Sequence, residues 1–186
     1  MDLDRYRGSI LGLAAGDAIG APVEFRAPGS FEPVSGMAPG GAFDLKAGQW
    51  TDDTSLALCL SESLIETKSF DLVDQLDRYV LWYRHGHLSS TGECFDIGNT
   101  TSAALQEFER RRNPHSGPTS PSTAGNGSLM RLAPVPLVYA NRFVEAVEKS
   151  GESSKTTHGA AEAVDSCRYL GALIAGAIKG RDKKDL

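Results

Sequence analysis

Cysteine is scarce in this sequence and basic charge is in deficit. Only three cysteines, Cys59, Cys94 and Cys167, occur in 186 residues. They are odd in number and far apart, without the paired spacing of a disulfide framework or a zinc site, which points to a reducing cytoplasm. Lys and Arg number 19 against 24 Asp and Glu, a formal net charge of -5. No broad basic field is present to gather phosphate backbones, so a nucleic-acid groove is not expected. Asp2 and Asp4 stand where a basic leader would, and the apolar stretch from Ile10 to Val23 is interrupted by Asp17 and Pro22. Neither a signal peptide nor a membrane span is expected. The remainder, 40% hydrophobic and 23% charged, has the composition of a globular chain built on one core.

Strand-like alternation of any length is also missing, and helical spacing takes its place. Tyr6, Ile10, Leu13 and Asp17 mark a first helix that stops near Gly20-Ala21-Pro22. A Gly- and Pro-rich stretch follows to Gly48, longer than most loops in a compact domain and therefore a place to expect function. Leu56, Leu60 and Leu64 recur every four residues, which predicts a buried helix starting near Thr51. Ser69 is the expected N-cap of the next helix, with Leu72, Leu76, Tyr79, Val80 and Tyr83 on its inner face and Gly86 closing it.

Another helix is expected from Asn99 or Thr100, with Ala104, Leu105 and Phe108 turned inward. Residues 113–127, "NPHSGPTSPSTAGNG", have no apolar face and read as an exposed or flexible linker. Pro134 and Pro136 then restrict helix to short pieces. A final helix behind an N-cap at Thr157 carries Ala160, Val164, Cys167, Gly171, Ile174 and Ile178. The fold class expected is all-α, in a single domain over 1–186.

Several stretches carry polar residues that a fold alone does not require. In "GQWTDDTSLALCLSESL", Asp52 and Asp53 fall in the first turn of a helix. Two acids there are favoured by the helix dipole, and together with Thr51 they also make an oxygen-only donor set suited to a hard cation such as Mg²⁺, Mn²⁺ or Ca²⁺. Asp17 reads as a satisfied carboxylate near a helix end, and Glu24 as an acid in the long loop. In "CFDIGN", Asp96 precedes a glycine and a helix start, where backbone amides approach anions. Gly127 and Ser128 in "GNGS" offer a similar cradle. His158, placed by this reading in the first turn of the last helix, suits a neutral imidazole donating to a phosphate or stacking on a sugar. His85, His87 and His115 read as surface residues.

Five stretches taken in order, "GLAAGDAIGAPVEF", "GQWTDDTSLALCLSESL", "FDIGNTT", "GNGSLMRLAPVPL" and "THGAAEAVDSCRYLGALIAGAI", give the chain a resemblance to the ADP-ribosylglycohydrolase family of the dinitrogenase reductase-activating glycohydrolase type. The resemblance implies a compact orthogonal multi-helix domain with a binuclear Mg²⁺ or Mn²⁺ centre. It implies Thr51, Asp52 and Asp53 as metal ligands and Glu24 and Asp96 as catalytic carboxylates. Gly98, Asn99, Gly127, Ser128 and His158 are implied as contacts to ADP-ribose.

The implied activity is metal-dependent hydrolysis at the anomeric carbon of the distal ribose, releasing ADP-ribose from modified protein side chains, arginine above all. Serine-linked ADP-ribose, O-acetyl-ADP-ribose, or ADP-ribose binding without turnover are the alternatives. Family members also carry a second acidic motif of the D-x-D-T type, which this sequence does not contain. The expectation is therefore of a domain incomplete at its C-terminal side, with a further segment or self-association covering exposed apolar faces.

Overall fold

The computed structural model describes residues 2–186. Among them run seven α-helices: α1 (Leu3–Gly20), α2 (Asp52–Thr67), α3 (Leu72–His85), α4 (Asn99–Arg111), α5 (Pro134–Val138), α6 (Phe143–Ser154) and α7 (Ala161–Ile178). Short 3-10 turns occupy Ala21–Val23 and Pro121–Thr123. A lone antiparallel bridge between Gly40 and Leu45 is the extent of β-structure among the described residues. The all-α expectation holds, and none of these helices is long and apolar enough to cross a membrane.

The core forms where the four-residue periods of several helices meet. Leu56, Leu60 and Leu64 of α2 pack with Leu76, Tyr79 and Trp82 of α3, Leu105 and Phe108 of α4, Val135 of α5 and Cys167 of α7. Full burial of each such side chain stabilises the fold by about 1.5–3 kcal/mol. Trp82, rather than Tyr83, is the buried aromatic at the end of α3. Glycine permits close helix packing at α6 and α7, since a Cβ on Gly171 would collide with the Ser150 side chain.

Several expectations are corrected. Asp71, not Ser69, caps α3, because its carboxylate accepts from the amides of Val73 at 2.9 Å and Asp74 at 3.1 Å. Helix α6 was not foreseen. Its buried face is Ala146, Ser150, Gly151, Ser153 and Ser154, small and largely polar, so no apolar stripe announces it.

Thr157 is not a helix cap: α7 starts at Ala161 behind Ala160, and Thr157 and His158 lie in the turn after α6. The 113–127 segment is not a free linker either. The Gly117 amide donates to Lys155 O at 3.1 Å and the Gly159 amide to Pro118 O at 3.0 Å, tying the segment to the His158 turn. His87 is half-buried, 2.7 Å from Glu62, which also meets Arg78.

Candidate functional site

The site begins where α1 meets the start of α2. Asp17, near the end of α1, reaches across to cap α2 in place of a side chain from the capping residue itself. Its carboxylate accepts from Thr51 N at 3.0 and 3.1 Å, Thr51 Oγ1 at 3.0 Å, Thr54 N at 3.0 Å and Thr54 Oγ1 at 2.6 Å. Thr51 holds the N-cap position, but its side chain makes no capping hydrogen bond. The Thr51 hydroxyl also lies 3.5 Å from Asp53 Oδ2. The Asp17 bonds fix the first turn of α2 and with it Asp52 and Asp53.

Asp52 and Asp53 project into a cavity of about 450 Å³, whose walls also include Glu24, Asp96, Gly98, Asn99, Gly127 and His158. This volume falls within the ordinary range for small-molecule sites. Glu24 follows the 3-10 turn after α1, and Asp96 stands just ahead of α4. Two residues here hold left-handed backbone, Phe25 at φ 61° and Asp96 at φ 58°. Such conformations are uncommon for non-glycine residues and gather at functional sites. Phe25 is an exposed ring on the cavity wall, edge-on to Phe43, which in turn meets Phe95 edge-on.

The opposite wall suits an anion. Helix α4 opens on Gly98, which offers no side-chain cap, and no acidic residue occupies its first turn. Its first amides therefore keep free N–H groups and the positive end of the dipole. Gly127 brings the backbone against the imidazole: a Cβ there would sit 2.7 Å from His158 Cε1 and 2.9 Å from Thr101 Oγ1. Burial, and then the nearby Arg131 charge, push the His158 pKa down to about 3, so the ring is neutral.

Ser128 alone among the sequence-predicted residues of this wall is turned away. Its hydroxyl is buried, 2.8 Å from Ser154 Oγ, and accepts from Cys167 Sγ at 3.5 Å. The hydroxyl therefore faces the core rather than the cavity. Sequence patterns point to neither Arg131 nor Phe25, and to Thr157 only as a helix cap. A single arginine inside the apolar run "SLMRLAPVPL" was the one available signal for the first of them.

Among the described residues, no lysine or arginine lines the cavity. Burial raises the Asp52 pKa to about 9, helped by Asp53, Asp96, Glu24 and Asp17. Burial likewise raises Asp53 to about 6, with Asp17 and Glu24 adding to it. Asp96 is raised to about 8, by burial first and then by the neighbouring Glu24 carboxyl.

These oxygens suit Mg²⁺ or Mn²⁺ in chemistry, and their mutual repulsion is what a divalent ion relieves. Among the described residues, no group of three His, Cys, Asp or Glu side chains is arranged to hold a metal by itself. An ion held here would need further oxygen ligands beyond these side chains.

Comparison with known proteins matches this architecture. The family model described as ADP-ribosylglycohydrolase covers residues 1–186. The ADP-ribosylarginine hydrolase Tri1 of Pseudomonas putida is 45% identical over 98% of this chain and 49% of that protein. The ADP-ribosyl-[dinitrogen reductase] glycohydrolase of Rhodospirillum rubrum is 33% identical over 97% of this chain and 60% of that protein. A solved structure described as an ADP-ribosylglycohydrolase-related protein complex superposes with a TM-score of 0.85 at 41% identity, covering 97% of this chain and 58% of its own. The chain spans about half the length of the curated relatives it matches. Sequence and fold together place this chain in the ADP-ribosylglycohydrolase family.

Proposed function

We propose that the cavity binds the ADP-ribose part of an ADP-ribosylated protein, together with divalent cations, and that the reaction is release of ADP-ribose from arginine. The observation that carries this reading is the division of one cavity into an acidic wall and an amide-rich wall. The acidic wall alone would repel a diphosphate, and among the described residues no lysine or arginine lines the cavity to offset it. A divalent cation held by these carboxylates would supply the positive charge that removes the conflict. Thr51, Asp52 and Asp53 would hold Mg²⁺ or Mn²⁺, two ions by family resemblance. When bound, the cations supply positive charge that neutralises the diphosphate and orients the ribose hydroxyls.

The protein's own groups account for the proton movements. Glu24 and Asp96 line the cavity together, and of the two one would serve as the acid and the other as the base. In hydrolysis the bond from the anomeric carbon to the guanidine nitrogen breaks, and the leaving nitrogen takes the proton of the acid member. The base member takes a proton from the attacking water as its oxygen bonds to the anomeric carbon, which restores one proton on the pair. The first amides of α4 and the Gly127 segment are placed to receive phosphate oxygens. Arginine as the linkage follows the ADP-ribosylarginine hydrolases of Pseudomonas putida and Serratia proteamaculans that this chain resembles. A reducing cytoplasm accords with Cys59, Cys94 and Cys167, all free thiols.

The test is release of ADP-ribose from arginine-linked, serine-linked and O-acetyl conjugates in the presence of Mg²⁺. Release from the arginine conjugate is expected, with Asp52→Ala and Asp53→Ala inactive but still helical by circular dichroism. Binding of ADP-ribose without release from any conjugate would replace hydrolysis with a binding role.

A further inference from the structure

Arg131 is a fully buried cation with no carboxylate paired to it among the described residues. Its guanidinium lies over the Tyr79 ring at 4.5 Å. Nη1 donates to Gly127 O at 2.9 Å, and Nη2 donates to Thr156 Oγ1 at 2.9 Å and Thr157 Oγ1 at 2.8 Å. Arginine can only donate, so each hydroxyl that accepts from it must send its own hydrogen elsewhere. Thr156 does so by donating to Ser153 O at 2.7 Å. Thr157 is buried as well, and among the described residues the one further partner of its hydroxyl is His158 Nδ1, at 2.9 Å.

A proton on Nδ1 would point at a hydroxyl whose own hydrogen then has no acceptor. An unprotonated Nδ1 gives the Thr157 hydroxyl hydrogen its acceptor, and Arg131 Nε stays without a partner under either tautomer. The rest of the ring's surroundings hold it in place. Ser154 Oγ donates to His158 O at 2.8 Å, and Gly125 and Gly127 lie against the imidazole edge, 3.4 and 3.2 Å from Nε2 by the positions their missing Cβ atoms would take. Nε2 has no protein partner among the described residues, and His158 lines the cavity.

We infer that Thr157 is a positioning residue that passes the donor polarity of Arg131 to His158, fixing the Nε2–H tautomer so that the ring presents a donor to an oxygen acceptor in the cavity. The identity of that acceptor, a phosphate or ribose oxygen of ADP-ribose, rests on the function proposed above; the tautomer does not. Burial disfavours a charged His158 ring, which leaves the choice between tautomers as the variable that this contact decides.

The experiment is nitrogen-15 NMR of the histidine rings in the labelled chain, with the His158 signals assigned by comparison with His158→Gln. The expected result is a proton on Nε2 and an unprotonated, hydrogen-bonded Nδ1. Thr157→Val should shift Nδ1 toward its unbonded position, and Thr157→Ser should restore it. A proton on Nδ1 in the native chain, or an Nδ1 signal unchanged by Thr157→Val, overturns the inference.

ADP-ribose added in Mg²⁺ should shift the Nε2–H signal, with affinity about tenfold weaker in Thr157→Val and within about twofold of native in Thr157→Ser. Loss of affinity in Thr157→Val without the Nδ1 shift would mark a structural effect and also overturn the inference. If the tautomer is as expected and ADP-ribose binds nowhere, the relay stands and the ligand reading fails.

Discussion

Replacing Asp17 with asparagine is expected to destabilise the chain about as much as replacing it with alanine. Each carboxylate oxygen accepts from a backbone N–H and a hydroxyl: Oδ1 from Thr51 N and Thr51 Oγ1, Oδ2 from Thr54 N and Thr54 Oγ1. An asparagine amide has one oxygen, and in either orientation its NH₂ group faces a backbone N–H. Losing an N-cap costs about 0.5–2 kcal/mol, and hydrogen bonds to a charged partner are each worth about 1.5–3 kcal/mol. Removing a charge that repels Asp52, Asp53 and Asp96 offsets part of this loss.

A net loss of roughly 3 kcal/mol is expected, which at about 2–4 °C per kcal/mol for a chain of this size lowers Tm by about 6–12 °C. Urea unfolding followed by far-UV circular dichroism in chelator measures it without any contribution from metal. An Asp17→Asn chain within about 0.5 kcal/mol of native, with Asp17→Ala well below it, would show that acceptor geometry is not what matters. Both variants more stable than native would show that carboxylate repulsion outweighs the cap.

Asp52→Asn should raise the stability of the chain in chelator, since with a pKa raised to about 9 the Asp52 carboxyl must take up a proton on folding at neutral pH and asparagine need not, and should abolish the Tm rise that Mg²⁺ gives the native chain; thermal melts with and without Mg²⁺ read both effects. The His158 pKa of about 3 lies below its unfolded value of 6.5, so the native ring refuses a proton that the unfolded chain takes up. That contribution to stability is intact above pH 6.5 and declines as pH falls toward 3, a loss of about 1–2 kcal/mol between pH 7 and 5 that His158→Gln should lack in urea titrations at the two pH values. Gly127→Ala should displace the His158 ring, which would lie 2.7 Å from the new Cβ. Isothermal calorimetry should then show ADP-ribose binding weakened by about tenfold or more.

How far the sequence could be read depends on whether a residue's partner is nearby in the chain. The leucines of α2 declare its buried face because four-residue spacing is local, and Gly98 announced the bare start of α4 for the same reason. Asp17 read only as a satisfied carboxylate, since the amides it caps lie 34 and 37 residues away. The 113–127 segment looked free because its anchor is the backbone near Lys155 and Gly159 rather than an apolar face.

Helix α6 escaped notice because serine and glycine form its buried face. Ser128 matched the motif, yet its hydroxyl is drawn into the core by Ser154, a contact no spacing rule contains. The acidic cluster was legible as residue types, and its convergence with His158 in one cavity was implied by family resemblance alone.

The most direct test of the central claim is a calorimetric titration of ADP-ribose into this chain, once in Mg²⁺ and once in chelator. The account expects saturable binding in Mg²⁺ and at least about a hundredfold weaker binding in chelator, a difference of roughly 2.7 kcal/mol. Equal affinity in both buffers, or no binding in either, would contradict a cation-bridged ADP-ribose site built on Thr51, Asp52 and Asp53.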